Sequence, residues 1–247
     1  MDKVLYVAMS GARETMLAQQ AHANNLANAT TTGFKADLAQ ARAMPVFGDG
    51  LPSRVYAQTE RPATDISTGT LTQTGRDLDV AIDGEGWIAV LAPDGTEAYT
   101  RAGELQINAA NQLVTGSGLP VMGAGGIPVI IPPSEKIDIA VDGTITARPL
   151  GEDAAELLLV DRIKLVRPEA GTLFKGQDGL MRSGTPQPLP PALDVSLRPG
   201  YLETSNVNAV SELTDIISLA RQFEMQVKLM KTAEENSTAA ARVLQLS

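Results

Sequence analysis

Glycine and proline are distributed so unevenly that they divide the chain before any other property is read. The 247 residues include 22 glycines and 15 prolines, and all the prolines and nearly all the glycines lie between Gly33 and Gly200. Proline removes a helical hydrogen bond and clashes with the preceding turn, and glycine costs about 1 kcal/mol relative to alanine in a helix. The two ends are therefore free to form long helices, and the middle is not.

The N-terminal end reads as a helix from Asp2 to Asn28. Leu5, Ala12, Gln19 and Leu26 recur at heptad spacing, with Ala8/Met9, Thr15/Met16 and His22/Ala23 between them, so a narrow two-position seam runs along it. The helix should stop in Asn-Ala-Thr-Thr-Thr (28–32), because clustered threonine is a poor helix former and Gly33 allows a sharp exit. The C-terminal helix should start at an Asn208 cap and run to Leu246. Leu213, Ile216, Ala220, Phe223, Val227 and Met230 trace its seam; Glu234 and Ser237 interrupt it, and Ala241 and Leu244 resume it. At about 1.5 Å per residue the helices are roughly 40 Å and roughly 55 Å long. Neither seam is wide enough to bury a face on a domain. Each needs a helical partner, from the other end of the chain as a stalk or from another molecule.

The middle reads as all-β. Asp-Gly pairs at 83–84, 94–95, 142–143 and 178–179 mark hairpin turns, since both residues tolerate positive φ. Short apolar runs between them, Trp87–Leu91 and Leu157–Val160, read as strands. Pro-Gln-Pro-Leu-Pro-Pro (186–191) reads as a stiff connector. Residues 35–44 are helix-like by propensity but equally compatible with extended chain. The expected fold is α+β: long N- and C-terminal helices pairing as a coiled-coil-like stalk, with an all-β middle domain. The expected divisions are 1–35 for the first helix and its turn, 36–68 for an extended or irregular connector, 69–204 for the β domain and 205–247 for the second helix.

Composition removes several function classes. The net charge is −9, with 20 basic residues scattered among 29 acidic ones, so no basic stripe offers itself to nucleic acid. There is no cysteine, which excludes disulfides, thiolate zinc sites and cysteine nucleophiles. The N-terminal residues are interrupted by polar side chains, unlike a cleaved signal, and no run approaches a membrane span. By this chemistry alone the chain reads as soluble and cytoplasmic. His22 is the only histidine and has no nucleophile signature near it, which argues for a polar packing residue over a triad member. Asp77, Asp79 and Asp83 fail the calcium-loop spacing because Ala81 occupies a ligand position, leaving turn and strand-edge roles. Gly-Ser-Gly (116–118) and Gly84-x-Gly86 lack the rest of a phosphate loop. Trp87, the only tryptophan, should anchor the β core. No cofactor, metal or small-molecule substrate is expected. Two other classes remain open: a β module displayed on a stalk at the cell surface, and a hydrolase using two of the many carboxylates.

Four segments carry a resemblance. His-Ala-Asn-Asn-Leu-Ala-Asn-Ala-Thr-Thr-Thr-Gly-Phe-Lys (22–35) resembles the signature at the end of the N-terminal helix in flagellar rod and hook proteins. Gly-Thr-Leu-Thr-Gln-Thr-Gly-Arg-Asp-Leu-Asp-Val-Ala-Ile-Asp-Gly-Glu-Gly-Trp-Ile-Ala-Val (69–90) is similar to the first β signature of that family. Tyr-Thr-Arg-Ala-Gly-Glu-Leu (99–105) with Leu-Val-Thr-Gly (113–116) is similar to its second. Gly-Tyr-Leu-Glu-Thr-Ser-Asn-Val-Asn-Ala-Val-Ser-Glu-Leu (200–213) is similar to its entry to the C-terminal helix. The chain length, the opening residues 1–12, Arg-Pro-Ala-Thr-Asp (61–65) and Asp-Arg-Ile-Lys-Leu-Val (161–166) most resemble the proximal-rod branch, with the distal-rod branch second.

The resemblance implies a structural, non-enzymatic subunit of the flagellar basal-body rod. It implies export through the flagellar type III apparatus without a cleaved signal, and assembly in the periplasmic space into a helical tube that transmits torque to the hook. The implied partners are further copies of the chain, other flagellar rod proteins and the export apparatus. The implied assembly residues are Leu5, Ala12, Gln19, Leu26, Asn25, Asn28, Gly33 and Phe34 at one end, and Leu213, Ile216, Ala220, Phe223, Val227, Met230 and Leu244 at the other. Isolated narrow-seamed helices are marginal in water, so the ends near 1–40 and 205–247 are expected to be mobile in the free subunit and to order on assembly.

Overall fold

The computed structural model describes residues 2–38, 41–45, 55–59, 63–149, 157–169, 171–185 and 187–245. The chain divides into two compact units: Met1–Ala29, Ala36–Asp65 and Val207–Ser247 form one, and Thr30–Lys35 with Ile66–Asn206 form the other.

The first unit is built on two helices, α1 (Asp2–Ala27) and α2 (Ala209–Gln245). Asn208 caps α2 as its sequence position suggests: its Oδ1 accepts from the backbone N–H groups of Val210 at 3.1 Å and Ser211 at 3.3 Å. The helices pack antiparallel, with Gln226 beside Thr15 and Glu212 beside His22 and Asn25. The half-buried residues on α2 include Glu212, Ile216, Leu219, Ala220, Phe223, Gln226 and Met230. Leu213 and Val227, expected in the seam, lie exposed on its flank. The difference has a physical cause. Stepping from one apolar residue to the next missed Glu212 and Gln226, two polar residues that the seam accommodates by pairing them across it.

Among its described residues the connecting segment is extended, not helical. Asp37–Leu38 pairs antiparallel with Ala63–Thr64, and Ala41–Pro45 with Val55–Thr59, the last running along α1. Arg61 and Pro62, part of the Arg-Pro-Ala-Thr-Asp segment, lie outside the described residues.

Among the described residues of the second unit every strand pairing is antiparallel. A five-stranded sheet runs in the order Leu165–Val166, Trp87–Leu91, Glu97–Thr100, Met181–Ser183, Leu173–Lys175. A three-stranded sheet joins Ser134–Ile139, Thr144–Pro149 and Leu158–Arg162. Trp87–Leu91 shows why a short, unbroken apolar run can be a strand: it is buried on both faces. Ile88 and Val90 face a core with Leu105, Leu113, Ile131, Ile145 and Leu197, while Trp87 and Ala89 face a second cluster with Tyr99, Met122 and Met181. Trp87 is thus the anchor its rarity suggested.

Three of the four Asp-Gly pairs close hairpins, with φ of 79° at Gly95, 84° at Gly143 and 80° at Gly179. The fourth does not. Val80–Asp83 pairs with Ser196–Pro199 instead of with the following strand, so Gly84 (φ 88°) and Gly86 (φ 154°) turn the chain from one sheet into another. Asp83 meets Arg198 across that strand pair at 3.0 Å. Asp79 closes a turn at the start of strand Val80–Asp83, its N–H donating to the Arg76 carbonyl at 3.2 Å, and its carboxylate is buried, with Arg76 Nη1 at 3.6 Å. The proline-rich connector lies on the β unit, where the Leu189 N–H donates to Tyr99 Oη at 2.9 Å. Burial pushes the Tyr99 hydroxyl up to about 12. Pro186 lies outside the described residues. Among the described residues no helix is long and apolar enough to cross a membrane.

The hairpin aspartates set an acid limit. Hydrogen bonds from the Thr96 side chain and backbone lower the Asp94 pKa, those from Thr144 lower Asp142, and Arg182 lowers Asp178. A depressed carboxyl contributes stability above its unfolded value that is lost as pH falls through the folded value. The urea midpoint of the β unit is expected to fall progressively below about pH 4. Asp142→Asn should reduce that acid slope, as fluorescence of Trp87 during urea titration at several pH values will report.

Candidate functional site

The segments that leave α1 and enter α2 meet in the β unit at one buried carboxylate, Glu203. Residue 203 is the last of strand Tyr201–Glu203, which pairs with Leu71–Gln73. Glu203 Oε1 accepts from Lys35 Nζ at 2.6 Å and from the Gly69 N–H at 2.9 Å, and Oε2 accepts from Arg101 Nη1 at 3.0 Å. The Glu203 carbonyl accepts from the Gly33 N–H at 2.8 Å. All three charged side chains are buried. Burial alone raises a carboxyl pKa; here the hydrogen bonds from Lys35 and Gly69 and the charge of Arg101 outweigh it, so Glu203 stays below the usual carboxylate value.

Each cation is also tied elsewhere. Lys35 Nζ donates to the Ser67 carbonyl at 2.6 Å, and Arg101 Nη2 to the Gly84 carbonyl at 2.9 Å. The Arg101 guanidinium lies 5.4 Å from the Trp87 ring centroid. Two glycines make this approach possible. At Gly33, with φ of 67°, a Cβ would stand 2.2 Å from the Arg101 carbonyl carbon; at Gly69 it would stand 1.9 Å from the Thr204 oxygen. Phe34 is half-buried and covered within the same unit: Lys175 Nζ lies 3.9 Å from its ring centroid and donates to the Lys35 carbonyl at 2.8 Å. The four segments that carry the resemblance therefore each supply a member of one network: Lys35, Gly69 and Gly84, Arg101, and Glu203.

A second polar cluster lies within the helical unit. Asn25 is buried, and its amide pairs both ways with the backbone of Asp37, Oδ1 accepting from N–H at 2.8 Å and Nδ2 donating to the carbonyl at 2.9 Å. The same Nδ2 lies 3.2 Å from Glu212 Oε1, whose Oε2 stands 2.5 Å from His22 Nδ1. Asn28 Nδ2 donates to the Asn24 carbonyl at 2.9 Å, a second bond to a carbonyl that already accepts from the Asn28 backbone N–H at 3.1 Å. These amides act inside the subunit, so His22 is a packing partner of Glu212.

The other named positions divide by exposure. Ala12 is buried, and Leu5, Gln19, Leu26, Ile216, Ala220, Phe223 and Met230 are half-buried. Leu213 and Val227 are exposed, and the side chain of Leu244 lies outside those described. Sequence reasoning placed Thr15 in the seam, where it is buried, but passed over Gly11 and Gln226. A Cβ at Gly11 would lie 2.9 Å from Gln226 Nε2, so the glycine admits that side chain against α1. The signal was present, since Gly11 is the one glycine inside a helix that would prefer alanine there. Among the described residues no group of three acidic, histidine or cysteine side chains could hold a metal ion. What the arrangement offers is mechanical: residues 30–35 and the strand Tyr201–Glu203 are fixed to one another within the β unit.

Glu203→Leu should leave Lys35 and Arg101 buried without a counter-charge and cost about 3–5 kcal/mol, read as a lower urea midpoint. Adding Lys35→Met and Arg101→Leu should recover most of that loss, since a wholly apolar replacement removes the uncompensated charges.

Comparison with known proteins gives a consistent result along the chain. Residues 5–35 match the family described as flagella basal body rod protein. Residues 81–147 match the flagellar hook protein FlgE/F/G D1 domain, and 198–243 the flagellar basal body rod FlgEFG protein C-terminal family. The chain is 42% identical over 253 residues to the flagellar basal-body rod protein FlgF of Escherichia coli (strain K12), covering 100% of both chains. It is 41% identical to that of Salmonella typhimurium over the same coverage. It is 35% identical to that of Caulobacter vibrioides, covering 99% of this chain and 98% of the relative.

Proposed function

The chain belongs to the flagellar basal-body rod proteins, and from that premise we propose that it forms the proximal part of the rod, with its helices as an inner tube layer and its β unit outside them. It is a structural subunit of the FlgF type. The observation that carries the finer reading is the contrast between the two faces of each helix. The α1–α2 seam is satisfied within the subunit, yet Tyr6, Met9, Met16 and Leu17 on α1 and Val210, Leu213, Ile217 and Leu229 on α2 remain exposed. Apolar surface left over after intramolecular pairing fits neighbouring helices in a coiled-coil-like layer. Contacts between unlike faces of successive subunits build an open helical tube and not a closed dimer.

Partners on this reading are further copies of the chain, other rod proteins, and the flagellar type III apparatus that delivers the subunit to the periplasmic space. The absence of disulfides suits delivery as an unfolded chain. The role is torque transmission, not catalysis, and the Lys35–Glu203–Arg101 network supports it by anchoring the segments that lead out of α1 and into α2. The helix-pair polar contacts also favour an ordered seam in the free subunit, with the outer faces awaiting partners.

Deleting the gene in its host should give non-motile cells whose basal bodies stop before the hook in electron micrographs, and the point of arrest separates proximal from distal rod. Normal basal bodies and swimming would contradict the reading. Two substitutions separate seam from outer face. Phe223→Asp should weaken the helix pair by roughly 2–3 kcal/mol. Leu213→Asp should leave the free chain's thermal melt unchanged and still abolish swimming.

A further inference from the structure

Because cysteine is absent, methionine is the only sulfur in the chain, and its eight copies are not equivalent. Met122 and Met181 are 6% and 2% exposed, sealed in the second core cluster with Trp87 and Tyr99. On the helices Met230 is half-buried in the seam, but Met9, Met16 and Met225 are 51%, 58% and 61% exposed. Met9 and Met16 stand one heptad apart, on one exposed stripe that flanks the seam side of α1 marked by buried Ala12. Tyr6 and Leu17, both exposed, extend the same apolar surface.

We propose that Met9 and Met16 form a reversible oxidation site, and that sulfoxide at these positions keeps a free subunit out of the rod. The proposal rests on the reading above, that the outer face of α1 is a contact between subunits. The oxidant class is a peroxide. The thioether sulfur attacks one peroxide oxygen, the O–O bond breaks, and the other oxygen leaves as water after taking up the proton. Sulfur loses two electrons and hydrogen peroxide is reduced. A methionine sulfoxide reductase reverses the step: two thiols become a disulfide, and the oxygen leaves as water. The product replaces a flexible apolar side chain by a polar, chiral one. A helix face that must be buried against a neighbour then carries hydrogen-bond acceptors in a desolvated contact. The exposed leucines on the helices offer no such chemistry, and the core methionines are shielded. Among the methionines whose burial is described, susceptibility is therefore greatest on the outer faces of the helices, and lasts until assembly covers them.

The test uses the full chain. Treated with hydrogen peroxide and mapped by mass spectrometry, the free protein should oxidise at Met9, Met16 and Met225 at least about tenfold faster than at Met122 and Met181. In basal bodies extracted from the host and given the same dose, Met9 and Met16 should stay reduced. Cells carrying Met9→Gln with Met16→Gln, a polar stand-in for the sulfoxide, should lose swimming while the purified variant melts at the parent's temperature. Equal oxidation of exposed and core methionines, oxidation in the rod at the free-chain rate, or normal swimming of the double variant would each overturn the proposal. Should the double variant fail to fold, protection of Met9 and Met16 in extracted basal bodies decides the matter. The rod reading is tested separately by gene deletion, whose outcome does not depend on any methionine.

Discussion

A carboxylate taken out of water must be compensated, and the organisation of this chain follows from how Glu203 is compensated. Its partners come from residues far apart in sequence: Lys35 before the β domain begins, Gly69 just ahead of strand Leu71–Gln73, Arg101 just after strand Glu97–Thr100. The buried ion pairs bring little net stability compared with an apolar replacement, because desolvating three charges offsets their attraction. What they impose is register. Only one placement of the segment 30–35 and of the strand ending at Glu203 satisfies all the donors, and any slip leaves a buried charge unpaired. The glycines at 33 and 69 belong to the same constraint, since a side chain at either position would collide with backbone.

The helical unit obeys a different balance. Its seam is narrow, mixed and partly polar, with Gln226 against Gly11 and Thr15 and Glu212 against His22 and Asn25. Such a seam pairs two helices without consuming their remaining faces. A globular domain would bury those faces on its own core; here Tyr6, Met16, Leu213 and Ile217 stay in solvent. A subunit of a polymer needs both properties, a seam that fixes its own helices and a surplus of apolar surface for its neighbours.

Much of this was legible in the sequence. The segregation of glycine and proline separated helices from β domain, the Asp-Gly pairs located three hairpins, and Asn208 announced its helix. Legibility failed where an interaction joined residues distant in sequence. Lys35 and Glu203 stood inside recognisable motifs, but their pairing depends on how separate strands are placed. Leu213 and Val227 were drawn into the seam because periodicity weighs apolar residues and cannot see that Glu212 and Gln226 are paired across it. Asp83-Gly84 resembled the other three turns locally, and only the pairing of Val80–Asp83 with Ser196–Pro199 shows that it redirects the chain.

Electron cryomicroscopy of the host's rod, at a resolution that shows side chains, tests the central claim most directly. The account predicts α1 and α2 of this chain in the inner layer, with Tyr6 and Met16 on one helix and Leu213 and Ile217 on the other buried against neighbouring subunits. A rod in which those side chains face solvent, and subunits meet only through their β units, would contradict it.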